Sequence, residues 1–234
     1  MKITKRFSEA HREDLLKKSQ QCLFTKEGAP GMEYLIEHRK LDLETIQSFG
    51  LGYIPASVKH QLSDRIIIPL YDSSGNLIVL ASRMIGNDSH LPVYWHESYE
   101  KKYYLYGCNL AKQWMRKWNV AVICEGQFDT MQMHKSGIRN TVGLCANKFS
   151  DIQLSVILRY CDEIVVLLDS DENQAGQKSA EKIVREFSSK GYKIAKTDIA
   201  NGYDPDDYIK KHGSGDIKKL INSKIIELRK NAEN

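Results

Sequence analysis

The stretch Val120-Ala-Val-Ile-Cys124 runs directly into Glu125-Gly126, and Ile164-Val-Val-Leu-Leu168 runs directly into Asp169-Ser170-Asp171. Short apolar runs of this kind are typical of buried strands, and helical sequence follows each of them. Strands that alternate with helices form a parallel sheet, in which the carboxyl ends of the strands lie at one edge. The sequence therefore predicts that carboxylates from both strands meet at this edge.

Strand and helix signals alternate along the second half of the chain, from about residue 107 onwards. The predicted strands cover residues 120–125, 139–144, 163–169 and 192–198. The predicted helices cover residues 107–118, 127–137, 150–160 and 174–190, with short helices after them. This alternation predicts an α/β fold with helices on both faces of a parallel sheet.

The first half of the chain has a different pattern. Residues 5–49 are predicted to be helical, with a break at Gly28-Ala-Pro-Gly31. Residues 65–71 and 77–83 predict a β-hairpin. Residues 86–106 are polar and aromatic without a clear period, which predicts a loop. We therefore predict a smaller mixed α+β subdomain at residues 1–106, an α/β domain at residues 107–215 and a short helical tail at residues 216–234.

The acidic residues point to a divalent metal. Asp169 and Asp171 are two residues apart, a spacing that in extended chain returns both carboxylates to the same side. Oxygen ligands suit Mg²⁺ or Mn²⁺, the ions that accept substrate phosphates in phosphoryl transfer. Each acid by itself could instead cap a following helix, as Asp129 or Asp171-Glu172 could. Together with Glu125 the acids are harder to explain as caps, so we expect a metal site.

The composition places few limits on function. The chain has 234 residues and a formal net charge of +4, which is a weak indication of a nucleic-acid partner. It has no run of about 18 apolar residues and no signal-peptide pattern, so we expect a cytoplasmic protein. Its five cysteines lack the paired spacing of a zinc module. Cations between Lys210 and Lys230 form either a solvated helix face or a contact with phosphates.

The order of the motifs along the chain resembles one protein family. A strand followed by Glu-Gly, with a later strand followed by Asp-x-Asp, resembles the Toprim domain of primases, topoisomerases and some nucleases. Two segments resemble those of bacterial, DnaG-type primases: Val122-Ile-Cys-Glu-Gly-Gln-Phe-Asp129 and Tyr203-Asp-Pro-Asp-Asp207. Other segments follow that family's order: Tyr34-Leu-Ile-Glu-His-Arg39, Phe49-Gly-Leu-Gly-Tyr53, Arg65-Ile-Ile-Ile-Pro-Leu70, Ser82-Arg83 and Leu105-Tyr106-Gly107. The resemblance covers about residues 30–215 and implies a Toprim-type, Rossmann-like parallel sheet.

The resemblance also implies a role for each group of candidate residues. Three would be catalytic and hold Mg²⁺ or Mn²⁺: Glu125, Asp169 and Asp171. Three would support the metal: Asp129, Asp204 and Asp206. Three cations would bind template or nucleotide phosphates: Arg65, Arg83 and Lys101.

The implied reaction is that of a DNA primase catalytic core. It would synthesise short RNA primers from ribonucleoside triphosphates on single-stranded DNA by metal-dependent nucleotidyl transfer in DNA replication. A separate replicative helicase is the expected partner. A core of this small size would fit a phage or mobile-element replication system.

The sequence departs from the family's pattern at three places. No cysteine-based zinc module and no helicase-binding domain is recognised beside the core. The family's Pro-Lys-Tyr reads Pro92-Val93-Tyr94, so one cation is missing. Its Leu-Gly-Thr reads Cys145-Ala-Asn147, and the next residue, Lys148, is a candidate nucleic-acid-binding replacement for the lost charge.

Two other functions therefore stay open. One is a Toprim nuclease or RNA-processing enzyme, which shares the metals but uses water as the nucleophile. The other is a primase-like DNA-binding protein without catalysis. A topoisomerase is disfavoured because the chain is too short for a strand-passage enzyme.

Overall fold

The computed structural model describes residues 6–86, 91–146, 148–170, 175–200 and 202–230. The chain divides into two compact units, residues 1–99 and residues 100–234. The predicted boundary at residue 106 therefore falls inside the second unit. The 3₁₀ turn Lys101–Tyr103 belongs to that unit because Gln153 Nε2 donates hydrogen bonds to the carbonyls of Lys101 and Tyr104, at 3.3 and 2.8 Å.

The first unit begins with the predicted helical region. It contains α1 (Glu9–Leu23), α2 (Ala29–Glu33) and α3 (Leu43–Ser48), with a π-helical turn at Tyr34–His38. Ser8 caps α1 by accepting a hydrogen bond from the His11 amide. The predicted break is confirmed near Gly28, where a Cβ atom would lie 2.1 Å from the Cys22 carbonyl oxygen. Only glycine allows the chain to turn this closely against the end of α1.

An antiparallel sheet completes the first unit, with strand order β1-β2-β3-β4. Its strands are β1 (Gly52–Ile54), β2 (Arg65–Tyr71), β3 (Leu77–Met84) and β4 (Tyr94–His96). The predicted hairpin of β2 and β3 is confirmed, and in its turn Asp72 Oδ1 accepts hydrogen bonds from three successive amides. Pro69 is tolerated inside β2 because β1 pairs only with residues 65–67.

One prediction for the first unit is wrong, and one strand was not predicted. Residues 94–96 lie within the segment that we predict as a loop, but they form β4 at the edge of the sheet, paired with Ala81–Arg83. Residues 52–54, which follow the predicted helical region, form β1. Both strands are three residues long and flank a stronger hairpin, so pairing with a neighbour, rather than a sequence period, determines them. Residues 87–90 lie outside the described residues.

The second unit has the predicted alternation of strands and helices. Its strands are β5 (Val120–Cys124), β6 (Thr141–Gly143), β7 (Glu163–Val166) and β8 (Lys193–Lys196). Its helices are α4 (Cys108–Trp118), α5 (Gln127–Lys135), α6 (Asp151–Ile157), α7 (Ala175–Ser188), α8 (Pro205–His212) and α9 (Gly215–Lys230). The strands are parallel, in the order β6-β5-β7-β8.

Helices cover both faces of this parallel sheet, as predicted. Ala121 and Ile123 face a core that includes side chains of α4, α6 and α7. Val120 and Val122, the alternate residues of the same strand, face a second core with α5, α8 and α9. The predicted tail, residues 216–234, thus contributes α9 to the second core. Among the described residues, no helix combines the length and apolar character that crossing a membrane requires.

Candidate functional site

The two acid-tipped strands are neighbours in the parallel sheet. β5 pairs with β7, and Val122 lies opposite Val165. β6 lies on the other side of β5, so the chain reverses its direction of winding between β5 and β7. The carboxyl edge at such a switch point is where ligands bind in open α/β sheets. Glu125 follows β5 directly and is half-buried at this edge.

Asp169 reaches the same edge by a short extension of β7. The regular strand ends at Val166, earlier than predicted, but the Leu167 amide still donates to the Ile123 carbonyl at 2.8 Å. Asp169 is half-buried two residues further on. Asp171 lies outside the described residues, so its role as a ligand stays a prediction.

Asp129 lies in the first turn of α5 and is buried. Its Oδ2 atom accepts a hydrogen bond from the Gly126 amide at 2.8 Å, which caps the helix. Its Oδ1 atom accepts one from the Asp206 amide at 3.3 Å. The carboxylate therefore joins the turn after β5 to the start of α8.

The start of α8 brings three acids together. Asp204 is the N-cap residue, and its side chain accepts from the Asp207 amide at 2.6 Å. Carboxylate oxygens of Asp204, Asp206 and Asp207 lie within 4.8 Å of one another. Asp207 was not among our candidate ligands, although it stands in the quoted Asp-Pro-Asp-Asp segment.

Hydrogen bonds between the ends of two segments place Asp169 near Asp204. Ser170, which follows Asp169, donates its amide hydrogen to the carbonyl of Tyr203 at 2.9 Å, and the pair forms an antiparallel bridge. Tyr203 directly precedes Asp204. The bridge thus links the end of β7 to the start of α8. Asp169 is next to one residue of the bridge, and Asp204 is next to the other.

Burial, together with the proximity of the other acids, raises the pKa of two of these residues. Burial, followed by the charges of Asp169 and Asp204, raises the pKa of Asp129 well above its ordinary value. Burial also raises the pKa of Asp204, and Asp207 and Asp206 add to the shift. Since a divalent cation would relieve this repulsion, and every donor is an oxygen, the acids fit Mg²⁺ or Mn²⁺.

Exposure separates these acids into two kinds. Asp129 and Asp206 are buried, and their oxygens accept hydrogen bonds from nitrogen donors of the protein; Gln132 Nε2 and Lys210 Nζ contact Asp206 at 3.3 and 3.0 Å. Glu125, Asp169 and Asp204 are half-buried and reach the surface. The half-buried acids are therefore accessible to a ligand, whereas the buried acids order the turns, as Asp204 also does by capping α8.

Arg65 does not lie where a phosphate-binding residue should. It is fully buried. Its guanidinium donates to the carbonyls of Pro92 and Val93, at 2.6 and 3.2 Å. A buried guanidinium that is already bonded to backbone carbonyls is not accessible to a phosphate. The expectation that Arg65 binds phosphate is therefore corrected: its role is structural. The sequence could not reveal this, because the two acceptors belong to a distant segment.

Arg83 lies in a group of cationic and aromatic side chains that we call the Tyr34 patch, formed by Tyr34, Arg39, Arg83 and Tyr94. Arg83 and Arg39 both donate to the Tyr34 hydroxyl, Arg39 at 2.8 Å. The Arg83 guanidinium carbon lies 4.6 Å from the centre of the Tyr94 ring. Tyr94 is 47% exposed, and Val93 beside it is 49% exposed. Arg39 was missed as a candidate, although it ends a segment on which the resemblance was based.

The other two predicted cations lie in the second unit. Lys101 is near enough to Cys145 that its charge partly offsets the effect of burial, which raises the pKa of that thiol to about 12. The Cys145 amide donates to the Glu125 carbonyl at 2.9 Å, so Lys101 lies near the acidic edge. Lys148 is exposed in the segment between β6 and α6.

Several known proteins are similar to this chain in sequence. The family model described as Toprim-like matches residues 122–209. The DNA primase of Synechococcus elongatus is 26% identical over 243 residues, which cover 86% of this chain and 35% of that protein. The chain spans about a third to a half of the length of the curated relatives that it matches first.

Solved structures show the same fold. The RNA polymerase domain of Mycobacterium tuberculosis primase DnaG has a TM-score of 0.78 at 23% identity, covering 92% of this chain and 82% of that one. A DnaG primase catalytic domain bound to single-stranded DNA has a TM-score of 0.79 at 20% identity, covering 92% and 80%. The chain is therefore similar in sequence to bacterial DNA primases, and it has the fold of the DnaG catalytic core.

Proposed function

We propose that the chain is the catalytic core of a DNA primase, which joins ribonucleoside triphosphates into short RNA primers on single-stranded DNA. The observation that carries this proposal is the convergence of Glu125, Asp169 and Asp204 at the carboxyl edge between β5 and β7. The relatives named DNA primase support it. A separate replicative helicase is the partner that we expect for such a core.

The half-buried acids are the proposed ligands of Mg²⁺ or Mn²⁺. Glu125, Asp169 and Asp204 would hold the ion, with Asp171 as a predicted fourth ligand. When bound, the ion supplies charge that activates the primer 3′-hydroxyl and stabilises the leaving pyrophosphate. Asp129 and Asp206 keep the two acidic turns together through the hydrogen bonds described above.

The Tyr34 patch is the proposed contact for the single-stranded template. Arginine side chains pair with backbone phosphates, and exposed aromatic rings stack on bases without a strong preference for sequence. Arg39 and Arg83 offer the charges, while Tyr94 offers an exposed ring. Lys101, near the acidic edge, is the proposed contact for nucleotide phosphates.

One observation favours a second candidate, a primase-like protein that binds DNA without catalysis. Val93 occupies the place of the family's lysine, and its side chain is half exposed beside Tyr94. An apolar residue at this surface lowers the charge available to a template or nucleotide. Binding would then depend on the Tyr34 patch alone.

A primer-synthesis assay tests the proposal. The protein is incubated with single-stranded DNA, labelled ribonucleotides and Mg²⁺ or Mn²⁺, next to Asp169→Asn and, as a control, Asp216→Asn on the exposed face of α9. Short RNA that Asp169→Asn fails to make and Asp216→Asn still makes supports priming. Degradation of DNA or RNA without synthesis indicates a nuclease. Binding with neither activity indicates the second candidate.

A further inference from the structure

Ser170 separates the two aspartates of the Asp-x-Asp segment, at a position that the resemblance leaves unspecified. Side chains of consecutive residues in extended chain point to opposite sides. Accordingly, Asp169 is half exposed at the edge of the sheet, whereas Ser170 is fully buried beneath it. A buried hydroxyl at this place requires partners inside the protein.

The hydroxyl has a partner on each of two further segments. Ser170 Oγ donates to the carbonyl of Ile199 at 3.0 Å, and it accepts from Gln177 Nε2 at 2.8 Å. Ile199 belongs to the segment that leads from β8 to Asp204. Gln177 lies in the first turn of α7. The backbone of the same serine forms the bridge with Tyr203.

One side chain therefore connects the end of β7, the start of α7 and the approach to α8. The close packing of α7 supports this, since a Cβ atom on Gly176 would lie 2.1 Å from the carbonyl oxygen of Asp169. Displacement of the end of β7 relative to the approach to α8 would change the separation of Asp169 and Asp204, since each of these segments carries one of the two acids. Metal affinity depends steeply on such separations because the ligands must fit one small ion.

We infer that Ser170 is a positioning residue, whose hydroxyl sets the distance between Asp169 and Asp204 and thereby the affinity of the acidic edge for a divalent cation. The inference rests on the proposed function, in which these two acids hold the metal. It concerns the side chain alone, because the backbone bridge to Tyr203 forms whatever residue stands at position 170.

Direct Mn²⁺ binding tests the inference, with the free ion measured by electron paramagnetic resonance. Ser170→Ala keeps the backbone bridge and removes both bonds of the hydroxyl. We expect its Mn²⁺ affinity to fall about tenfold, the lower end of the effect of groups that orient metal ligands. Gln177→Leu removes one of the two bonds and should give a smaller loss. The double variant should lose no more than Ser170→Ala, because both changes act on the same hydroxyl.

Two controls separate positioning from a general loss of stability. Ser155→Ala removes an exposed hydroxyl away from the acids, bonded to the Asp151 carbonyl at 2.8 Å on α6, and should leave Mn²⁺ affinity unchanged. Ile217→Val loosens the core under β7 and should lower the melting temperature without changing Mn²⁺ affinity. If Ser170→Ala fails to fold, Gln177→Leu carries the test.

The outcomes distinguish the two proposals. Suppose that wild type binds Mn²⁺ and Asp169→Asn does not. If Ser170→Ala and Gln177→Leu then bind Mn²⁺ as tightly as wild type, the inference about Ser170 is overturned and the metal site stands. If wild type itself binds no Mn²⁺, the proposed function fails and the inference fails with it. Tenfold weaker binding by Ser170→Ala, at a temperature where it is fully folded, supports the inference.

Discussion

Lys210 lies within the group of acids at the start of α8, with its Nζ atom 3.0 Å from a carboxylate oxygen of Asp206. It also pairs with Asp207. The Asp206 side chain is 3% exposed and that of Lys210 is 19% exposed, so this pair is largely shielded from water. For Lys210, therefore, neither a solvated helix face nor a contact with phosphates describes the side chain, because Lys210 neutralises acids of its own chain.

Removal of the Lys210 charge should destabilise the protein. Lys210→Met leaves the buried Asp206 carboxylate without its cation, which should lower the free energy of unfolding by about 2 kcal/mol. The measurement is urea unfolding in the presence of EDTA. Lys219→Met is the control, since Lys219 pairs with Asp216 at 3.2 Å on the exposed face of α9 and should cost less than about 0.5 kcal/mol. Equal losses for the two variants would contradict the prediction.

The buried carboxylate of Glu97 should be essential to the first unit. It is fully buried and accepts hydrogen bonds from the amides of Phe7 and Leu80, at 2.7 and 2.8 Å, and from Arg12 Nε at 2.8 Å. Glu97→Gln places an amide group against these donors and removes the negative charge beside Arg12. We expect a loss of about 3 kcal/mol in urea unfolding.

Glu37→Gln is the matched control for that change. Glu37 is exposed and pairs with Lys40 at 3.6 Å, a contact that should contribute less than about 0.5 kcal/mol. A Glu97→Gln protein with the stability of Glu37→Gln would contradict the prediction, because neither the charge nor the second acceptor oxygen would then be needed at position 97.

His134 should make the stability of the protein depend on pH. Burial lowers its pKa from 6.5 to about 4, and its Nε2 atom lies 2.8 Å from the Thr141 carbonyl. Because the folded pKa is below the unfolded one, the unfolded chain binds the extra proton. The contribution of His134 is therefore complete above about pH 6.5 and is lost as the pH falls towards 4. The loss should reach about 2 kcal/mol near pH 5.

His134→Gln checks this directly. Glutamine retains an amide donor for the Thr141 carbonyl but does not titrate. Urea unfolding at about pH 7.5 and about pH 5 should show a smaller drop for the variant than for wild type, by about 2 kcal/mol. The same drop in both proteins would assign the pH dependence to other groups.

The parallel sheet could be predicted because its strands are buried on both faces. Val120–Cys124 and Ile164–Leu168 read as continuous apolar runs. Each is followed directly by an acid, whose position at the carboxyl edge depends only on strand direction. The edge strand β4 lacks this signal. Tyr94 and His96 are exposed, so nothing in the sequence distinguishes them from a loop.

The roles of individual charges were harder to predict than their positions. Arg65 and Arg83 both stand in β-strands of the predicted hairpin, yet Arg65 is buried on backbone carbonyls and Arg83 contacts Tyr34 and Tyr94. The difference depends on which distant segment covers each guanidinium. Likewise, nothing in the sequence indicates that Asp206 is buried and accepts a hydrogen bond from Lys210, whereas the side chain of Asp204 is partly exposed.

The contrast between the two arginines leads to a prediction for DNA binding. Arg83→Ala and Arg39→Ala should each weaken binding to labelled single-stranded DNA, and each should reduce the slope of log affinity against log salt by about 0.7, as expected for one lost phosphate contact. Tyr94→Leu should weaken binding by about 1 kcal/mol through lost stacking, without changing the salt slope. Fluorescence anisotropy at several salt concentrations measures both quantities.

Arg65→Lys and Lys59→Ala complete that experiment. Arg65→Lys keeps the charge but not the paired bonds to Pro92 and Val93, so it should lower stability and leave the salt slope unchanged. Lys59→Ala removes an exposed cation of the same unit outside the Tyr34 patch and should change neither quantity. If Lys59→Ala reduces the slope as much as Arg83→Ala does, then the DNA responds to the net charge of the unit, and the Tyr34 patch is not a specific contact.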